Sequence, residues 1–451
     1  MPQSSWRTLM PCTADELWAW HERPGALDRL LPPWQQIELL VRNRGIATGA
    51  RTEFEILKGP FRQRWVAVHS DHEQGRMFTD IALESPFSKW THVHRFEPDP
   101  EGAWLDDRVA YDLPLGPLGR LGEGYVAAEL ERMFRFRHRR TLDDLRRHQG
   151  RERKCFAVTG ASGRLGRELV AFLTTGGHNV RRMVRRPPTT PDEIFWNPKA
   201  GTIDADALVG VDAVIHLAGA DVAGGRWTEE RKRDIKESRV APTRLLAETL
   251  AKMKLPPTAL VCASGVGIYG NRGEETLDES SARGDGFLSE VAEGWEQASQ
   301  SAQEAGIRVV NLRLGAVVSA RGGMLSKLVP PFSMGLGGPV GDGQGWTPWI
   351  SMDDAIGAFY FACLESNLSG AVNAVAPGEI RNAELSKVLG RVLHRPAFIP
   401  VPTFALKAAL GEMAELVLDS TRASAGKLVN SGYQFLYPDF EAAVRHELGR
   451  E

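Results

Sequence analysis

Nine consecutive residues carry the strongest chemical signal in the chain: Val158-Thr159-Gly160-Ala161-Ser162-Gly163-Arg164-Leu165-Gly166. They overlap the end of a short apolar run, Cys155–Thr159, that reads as a buried parallel strand. They lead into Arg164–Thr175, which has helical periodicity. In that setting each glycine has a physical task. Gly160 permits the tight turn, Gly163 lets backbone approach a pyrophosphate, and Gly166 lets helix pack on strand. The helix start adds free N–H groups and the positive end of its dipole. Gly160, Ser162, Gly163, Arg164, Leu165 and Gly166 are therefore expected to hold a dinucleotide's phosphates. Glycines spaced this way also serve ordinary turns, so the strand before and the helix after give the motif its weight.

The second strand, Asn179–Val184, ends in Val184-Arg185-Arg186-Pro187. A site that prefers an unphosphorylated ribose wants an acid there to hold the 2′-hydroxyl, and the next acid is Asp192. Two guanidinium groups suit a 2′-phosphate by charge and by bidentate geometry. We expect NADP(H), with Arg185 the better contact and Arg186 the second; the competing reading is a solvated basic turn. Downstream, Ala213–Leu217 reads as the fourth strand. The small residues around Leu217, Ala218 and Gly219 let the following loop pass close to the adenine-ribose half. His216 ends that apolar strand and reads as a structural histidine with satisfied nitrogens. His92 and His94 share one face of another strand, but no third ligand stands nearby in sequence, so no metal is expected.

These groups need elements to position them. From residue 154 onward strands and helices alternate: further strands at Ala259–Ala263 and Val309–Leu314, helices at Glu229–Lys252 and Gly286–Ala305. The alternation predicts an α/β fold, a Rossmann-type doubly wound parallel sheet with a small C-terminal lobe. Before residue 150 the texture differs. Ala14–His21 reads as a helix with Thr13 as N-cap. Six alternating segments follow (Gln36–Arg42, Arg51–Leu57, Arg62–His69, Met77–Leu83, Lys89–Glu97, Trp104–Leu113), then one long closing helix, Tyr125–His148. A curved antiparallel sheet gripping that helix, an α+β package, usually encloses an apolar cavity. We expect three domains: 1–150, 154–395 and 396–451, the last small and helical.

The chain has 451 residues, 42% apolar and 25% charged, with a formal net charge of −2. That balance does not recommend nucleic acid or an anionic membrane as partner. No run approaches the ~20 apolar residues of a membrane span, and no signal peptide is visible at the N-terminus. Four scattered cysteines, Cys12, Cys155, Cys262 and Cys363, read as reduced thiols in a cytoplasmic protein.

The second unit resembles the extended short-chain dehydrogenase/reductase superfamily. It is closest to an atypical epimerase-like branch found in bacteria and organelles, sometimes labelled a cell-division inhibitor. The resemblance is carried by Thr159–Gly166, His216–Gly219, Gly225–Lys232 with Glu237–Arg239, Gly267–Gly270, Trp295-Glu296, Leu336–Gly341, Trp349-Ile350, Asn373–Pro377 and His394–Ala397. It spans about 155–445, and the stretch from about Ala397 is similar to the branch's small C-terminal domain. Ordinary members pair Tyr and Lys as YxxxK, the lysine lowering the phenol pKa for proton transfer. None of the six tyrosines here has a lysine four residues on. Leu288 and Ala292 stand where that pair would fall, and Gly265, beside Ser264, where the serine would. The atypical branch shares this departure. Tyr269, Ser264 and Glu296 are the polar groups left as catalytic candidates. Tyr269 could donate to a substrate carbonyl or pack beneath a nicotinamide. Glu296 could be structural or an acid/base. Arg239 resembles a position that reaches cofactor phosphate or ribose. Asp353 and Asp354 are expected to cap a helix.

The first unit resembles the polyketide-cyclase/START-like helix-grip superfamily through His21–Trp34, Ser85–Phe87, Asp107-Arg108 and the helix Tyr125–His148. The resemblance implies a pocket for an apolar ligand. The combined expectation is an NADP(H)-dependent oxidoreductase or isomerase acting on a small or hydrophobic carbonyl or hydroxyl compound without the usual dyad. The alternative is a non-catalytic NADP(H)-sensing or ligand-binding protein. The sequence does not fix the oligomeric state.

Overall fold

The computed structural model describes residues 2–42, 45–114, 119 and 121–451. Two compact units emerge: Met1–Arg153 with Ala171–His178 and His446–Glu451 form the first, and Lys154–Val170 with Asn179–Arg445 form the second.

In the first unit, seven strands form one antiparallel sheet: β1 (Gln3–Met10), β2 (Gln36–Arg42), β3 (Arg51–Lys58), β4 (Phe61–Glu73), β5 (Met77–Glu84), β6 (Lys89–Asp99) and β7 (Gly102–Asp112). The spatial order β1-β7-β6-β5-β4-β3-β2 is a meander closed by β1 returning beside β7. Alternation sets the inner face. Trp90, His92, His94 and Phe96 of β6 point inward, as do Ala103, Leu105, Asp107, Val109 and Tyr111 of β7. Helix α1 (Ala14–Glu22) is capped by Thr13, whose hydroxyl accepts from Glu16 N at 3.2 Å. Helices α2 (Ala26–Leu30) and α3 (Glu123–His148) complete the unit. Leu130 and Phe134 of α3 pack with Trp90, Val109 and Tyr111 of the sheet.

The second unit holds the predicted doubly wound sheet. Its strands are β8 (Cys155–Thr159), β9 (Asn179–Val184), β10 (Glu193–Asn197), β11 (Thr202–Ile203), β12 (Ala213–His216), β13 (Ala259–Gly265), β15 (Arg308–Leu314) and β18 (Gly370–Ala374). Two short pairs join β14 (Thr276–Leu277) to β19 (Arg422–Ala423) and β16 (Ala316–Val318) to β17 (Trp349–Ser351). The sheet order is β11-β10-β9-β8-β12-β13-β15-β18. β8 and β12 run parallel, and between them the order in which successive strands are added reverses, the place where open α/β sheets bind ligands. Helices α4 (Arg164–Thr175), α5 (Glu229–Ala251), α6 (Phe287–Gln297), α7 (Gln300–Glu304), α8 (Met324–Ser333), α9 (Met352–Leu364) and α10 (Asn382–Leu393) follow. Among the described residues no helix is long and apolar enough to cross a membrane.

Two local expectations change. The helix expected over Gly286–Ala305 is two helices. The Ser299 hydroxyl takes the Glu296 carbonyl at 2.7 Å where they break. Helix α9 is capped by Ser351, not by Asp353 or Asp354: Ser351 Oγ accepts from Asp354 N at 2.9 Å. Asp354 sits in the first turn and accepts from the backbone N–H groups of Leu436 and Tyr437 at 2.8 and 3.0 Å, tying the C-terminal stretch to the sheet unit.

Candidate functional site

The chain leaves β8 at Thr159 and turns at Gly160 with φ +66°, a region that favours glycine. A Cβ at Gly160 would lie 2.9 Å from the Leu217 carbonyl carbon. One at Gly166 would lie 2.2 Å from the Gly160 oxygen and 2.8 Å from Ala161 Cα. Backbone packing therefore demands both glycines. Gly163 differs: its Cβ would meet only the Gly160 oxygen, at 3.1 Å. Little in the chain's own packing demands glycine there, and the open cradle fits an incoming pyrophosphate.

The facing loop after β12 is held by buried polar groups. Thr159 Oγ1 accepts from the N–H groups of Leu217 and Ala218 at 3.1 and 3.2 Å and lies 2.7 Å from His216 Nδ1. His216 Nε2 lies 2.9 Å from Thr243 Oγ1, which donates its only proton to the Arg239 carbonyl at 2.6 Å. Thr243 must therefore accept from His216 Nε2–H, leaving Nδ1 to accept from Thr159. Burial pushes His216 down to about 4, so a neutral, satisfied imidazole is what this chain of bonds requires. Arg239 donates to the Ala220 carbonyl at 2.9 Å, with its guanidinium 4.9 Å from the centre of the Trp295 ring. Its Cζ would lie 3.1 Å from a Cβ at Gly219. Arg239 thus braces the loop carrying Leu217, Ala218 and Gly219.

The two arginines after β9 are not equivalent. Arg186 forms a bidentate pair with Glu193 on β10, at 2.8 and 2.6 Å. Glu193 is almost wholly buried, and this guanidinium, with the Thr189 N–H, holds it down to about 2. Arg185 is exposed, and no ion pair to it is found among the described residues.

The three catalytic candidates come together. Ser264 Oγ donates to Glu296 Oε1 at 2.7 Å. Arg313 grips the same carboxylate twice, Nε to Oε1 at 2.9 Å and Nη2 to Oε2 at 2.8 Å, and its Nη1 donates to the Tyr269 hydroxyl at 2.9 Å. That hydroxyl has one proton and two acceptors, Asn373 Oδ1 at 2.7 Å and the Asp278 carbonyl at 2.9 Å. Tyr269 is fully buried, and burial raises its pKa. Its proton is committed inside the protein.

Arg313 and Asn373 are the residues sequence reasoning missed. Arg313 pairs in register with Ser264 across β13 and β15, and Asn373 with Arg313 across β15 and β18. The available signal was an arginine inside a mostly apolar run, Val309–Leu314, which must find a counter-charge when buried.

Residues 156–374 match the profile of the NAD dependent epimerase/dehydratase family, and 401–447 match a domain of unknown function (DUF1731). An epimerase family protein of Mycobacterium tuberculosis (strain CDC 1551 / Oshkosh) is 41% identical over 280 residues, covering 62% of this chain and 92% of its own. The crystal structure of the nucleoside-diphosphate sugar epimerase from Corynebacterium glutamicum is 35% identical with a TM-score of 0.83. That alignment covers 99% of this chain and 90% of the other. The human epimerase family protein SDR39U1 (isoform 2), crystallised with NADPH, is 31% identical with a TM-score of 0.60, over 65% of this chain and 99% of its own.

Proposed function

We propose a function that proceeds from one premise: the chain belongs to the NAD dependent epimerase/dehydratase family. Its second unit binds NADP(H). Gly160, Ser162, Gly163, Arg164, Leu165 and Gly166 hold the pyrophosphate at the start of α4. Leu217, Ala218 and Gly219 line the adenine-ribose side, with Arg239 bracing them. Arg185 takes the 2′-phosphate, with Arg186 beside it. The observation that carries this is the pairing of an open glycine cradle at Gly163 with an uncommitted guanidinium at Arg185. The NADPH complex of human SDR39U1 supports the same choice of nucleotide.

Bound cofactor would supply the hydride donor or acceptor for a small or hydrophobic carbonyl or hydroxyl compound. Of the three candidates, Ser264 is the group we assign to the substrate oxygen. It lies near the C-terminal end of β13, and because its one proton goes to Glu296, its oxygen is left to accept from a substrate hydroxyl. Arg313 holds the Glu296 carboxylate in place with two hydrogen bonds, and Tyr269 acts as a positioning residue that holds Arg313. The first unit serves as a helix-grip module, of the polyketide-cyclase/START-like kind, for an apolar ligand. Purified protein with NADPH, offered a broad aldehyde, ketone and enone panel, should turn over at least one member, and Ser264→Ala should reduce that rate. Turnover of none would remove the enzyme assignment. A second reading, NADP(H) sensing without chemistry, is favoured by one observation: the hydrogen bonds of Tyr269, Glu296 and Arg313 already satisfy one another. Tight NADPH binding by calorimetry with no turnover would select it.

A further inference from the structure

Among the described residues, the first unit buries a cluster of acids and imidazoles on its sheet. Asp80 on β5 stands directly across from His92 on β6, and His94, two residues on, stands across from Asp107 on β7. Asp80 Oδ2 lies 3.1 Å from His92 Nδ1 and 3.4 Å from His94 Nε2, and the three ligand atoms lie within 4.8 Å of one another. The opposite nitrogens, His92 Nε2 and His94 Nδ1, both face Asp107 Oδ1, at 3.0 and 2.7 Å, the His94 contact being the less well aligned. Asp107 is held on its other oxygen by His138 of α3 at 2.8 Å. His92 and Asp107 are each 3% exposed.

Asp107, deeply buried, and Asp80, whose side chain is 16% exposed, need positive charge nearby. Asp107 takes the outer N–H of His92, and the outer nitrogen of His94 stands beside the same oxygen without a well-aligned bond. The remaining lone pairs, on His92 Nδ1 and His94 Nε2, then converge toward a carboxylate oxygen. Two lone pairs aimed at an anion repel unless a proton or a metal cation lies between, and one metal ion can serve both nitrogens and the carboxylate at once. Orienting carboxylates behind metal-bound imidazoles are the usual outer partners of such sites. The spacing also fits: a tetrahedron with bonds of about 2.1 Å has edges of about 3.4 Å. We propose that Asp80, His92 and His94 bind one divalent transition-metal ion of the zinc type, with Asp107 as the outer carboxylate that orients both imidazoles. Three protein donors leave a coordination position for water or for a ligand oxygen inside this unit, so the ligand class is one with a carbonyl or hydroxyl oxygen. The metal depends on none of the dinucleotide assignments.

The test uses the full chain, stripped with a chelator and titrated with CoCl2 while visible absorption is followed, then with ZnCl2 in competition. One cobalt per chain is expected, with the intense bands of tetrahedral coordination, displaced by zinc. Asp80→Asn, His92→Gln and His94→Gln should each weaken cobalt at least tenfold. Asp107→Asn should weaken it about 10- to 100-fold while keeping the tetrahedral spectrum. Near-ultraviolet circular dichroism checks that each variant keeps its packing. Zinc-edge X-ray absorption on the unaltered protein should show two imidazole shells and needs no variant. No cobalt binding, binding undiminished in folded Asp80→Asn, or fewer than two imidazoles around zinc would each overturn the proposal.

Discussion

Replacing Glu296 by alanine tests the internal wiring of the second unit. Its carboxylate carries two bonds from Arg313 and one from Ser264, and the Arg313 side chain is only 8% exposed. Removing the acid leaves a buried guanidinium with the Tyr269 hydroxyl as its remaining partner in the cluster. Breaking a buried pair from one side costs about 3–5 kcal/mol. Glu296 is 14% exposed, so water can reach the gap and the lower end, about 3 kcal/mol, is expected. Arg313→Met should cost a similar amount. The double variant Glu296→Ala/Arg313→Met removes both charges, so it should cost much less than the sum, with a coupling energy of about 2 kcal/mol or more. A chain of two compact units is not a safe two-state unfolder. Native-state hydrogen exchange resolved on β13, β15 and α6 is therefore the appropriate assay. Single variants costing under about 1 kcal/mol, or strict additivity of the pair, would refute the buried-network account.

Gly163→Ala should leave thermal stability nearly unchanged, because its Cβ meets only one oxygen at 3.1 Å, yet lower NADPH affinity at least tenfold by fluorescence titration. Gly166→Ala, whose Cβ would lie 2.2 Å from the Gly160 oxygen, should cost about 1–3 kcal/mol of stability as well as cofactor binding. His216 contributes to pH dependence with a definite sign. Its folded pKa of about 4 lies below the ordinary 6.5, so its contribution is complete above 6.5 and is lost as pH falls toward 4. That gap corresponds to about 3 kcal/mol. Relative to wild type, His216→Gln should be destabilised at pH 7 but flatter by that amount between pH 7 and 4; parallel curves in chemical denaturation would contradict the neutral-imidazole assignment.

Much of the second unit was legible because its signals are local. Cys155–Thr159 is bounded as its apolar run suggests, Asn179–Val184 is the strand expected there, and Gly160 and Gly166 sit where turn and packing geometry need them. What escaped was short, polar or non-local. Strand β1 carries Gln, two Ser, Arg and Thr among its eight residues and reads as a polar tail until β7 pairs with it. Strand β10 is only five residues long and buries Glu193, a charge that makes sense only beside Arg186. Arg313 and Ser264 are far apart in sequence and meet through parallel register. The same holds in the first unit. His92 and His94 find an acid near them in Asp80, twelve positions upstream, because β5 and β6 run antiparallel. Pairing register, which no local pattern encodes, assembled both clusters.

Recognition of a 2′-phosphate by Arg185 is the proposed basis of nucleotide choice in the second unit. Calorimetric titration of wild-type and Arg185→Ala protein with NADPH and with NADH tests it most directly. Wild type should favour NADPH, and the substitution should weaken NADPH by about 10- to 150-fold, the worth of one charge-assisted contact of about 1.5–3 kcal/mol, while NADH changes little. Equal losses for both dinucleotides, or no measurable affinity of wild type for either, would contradict it.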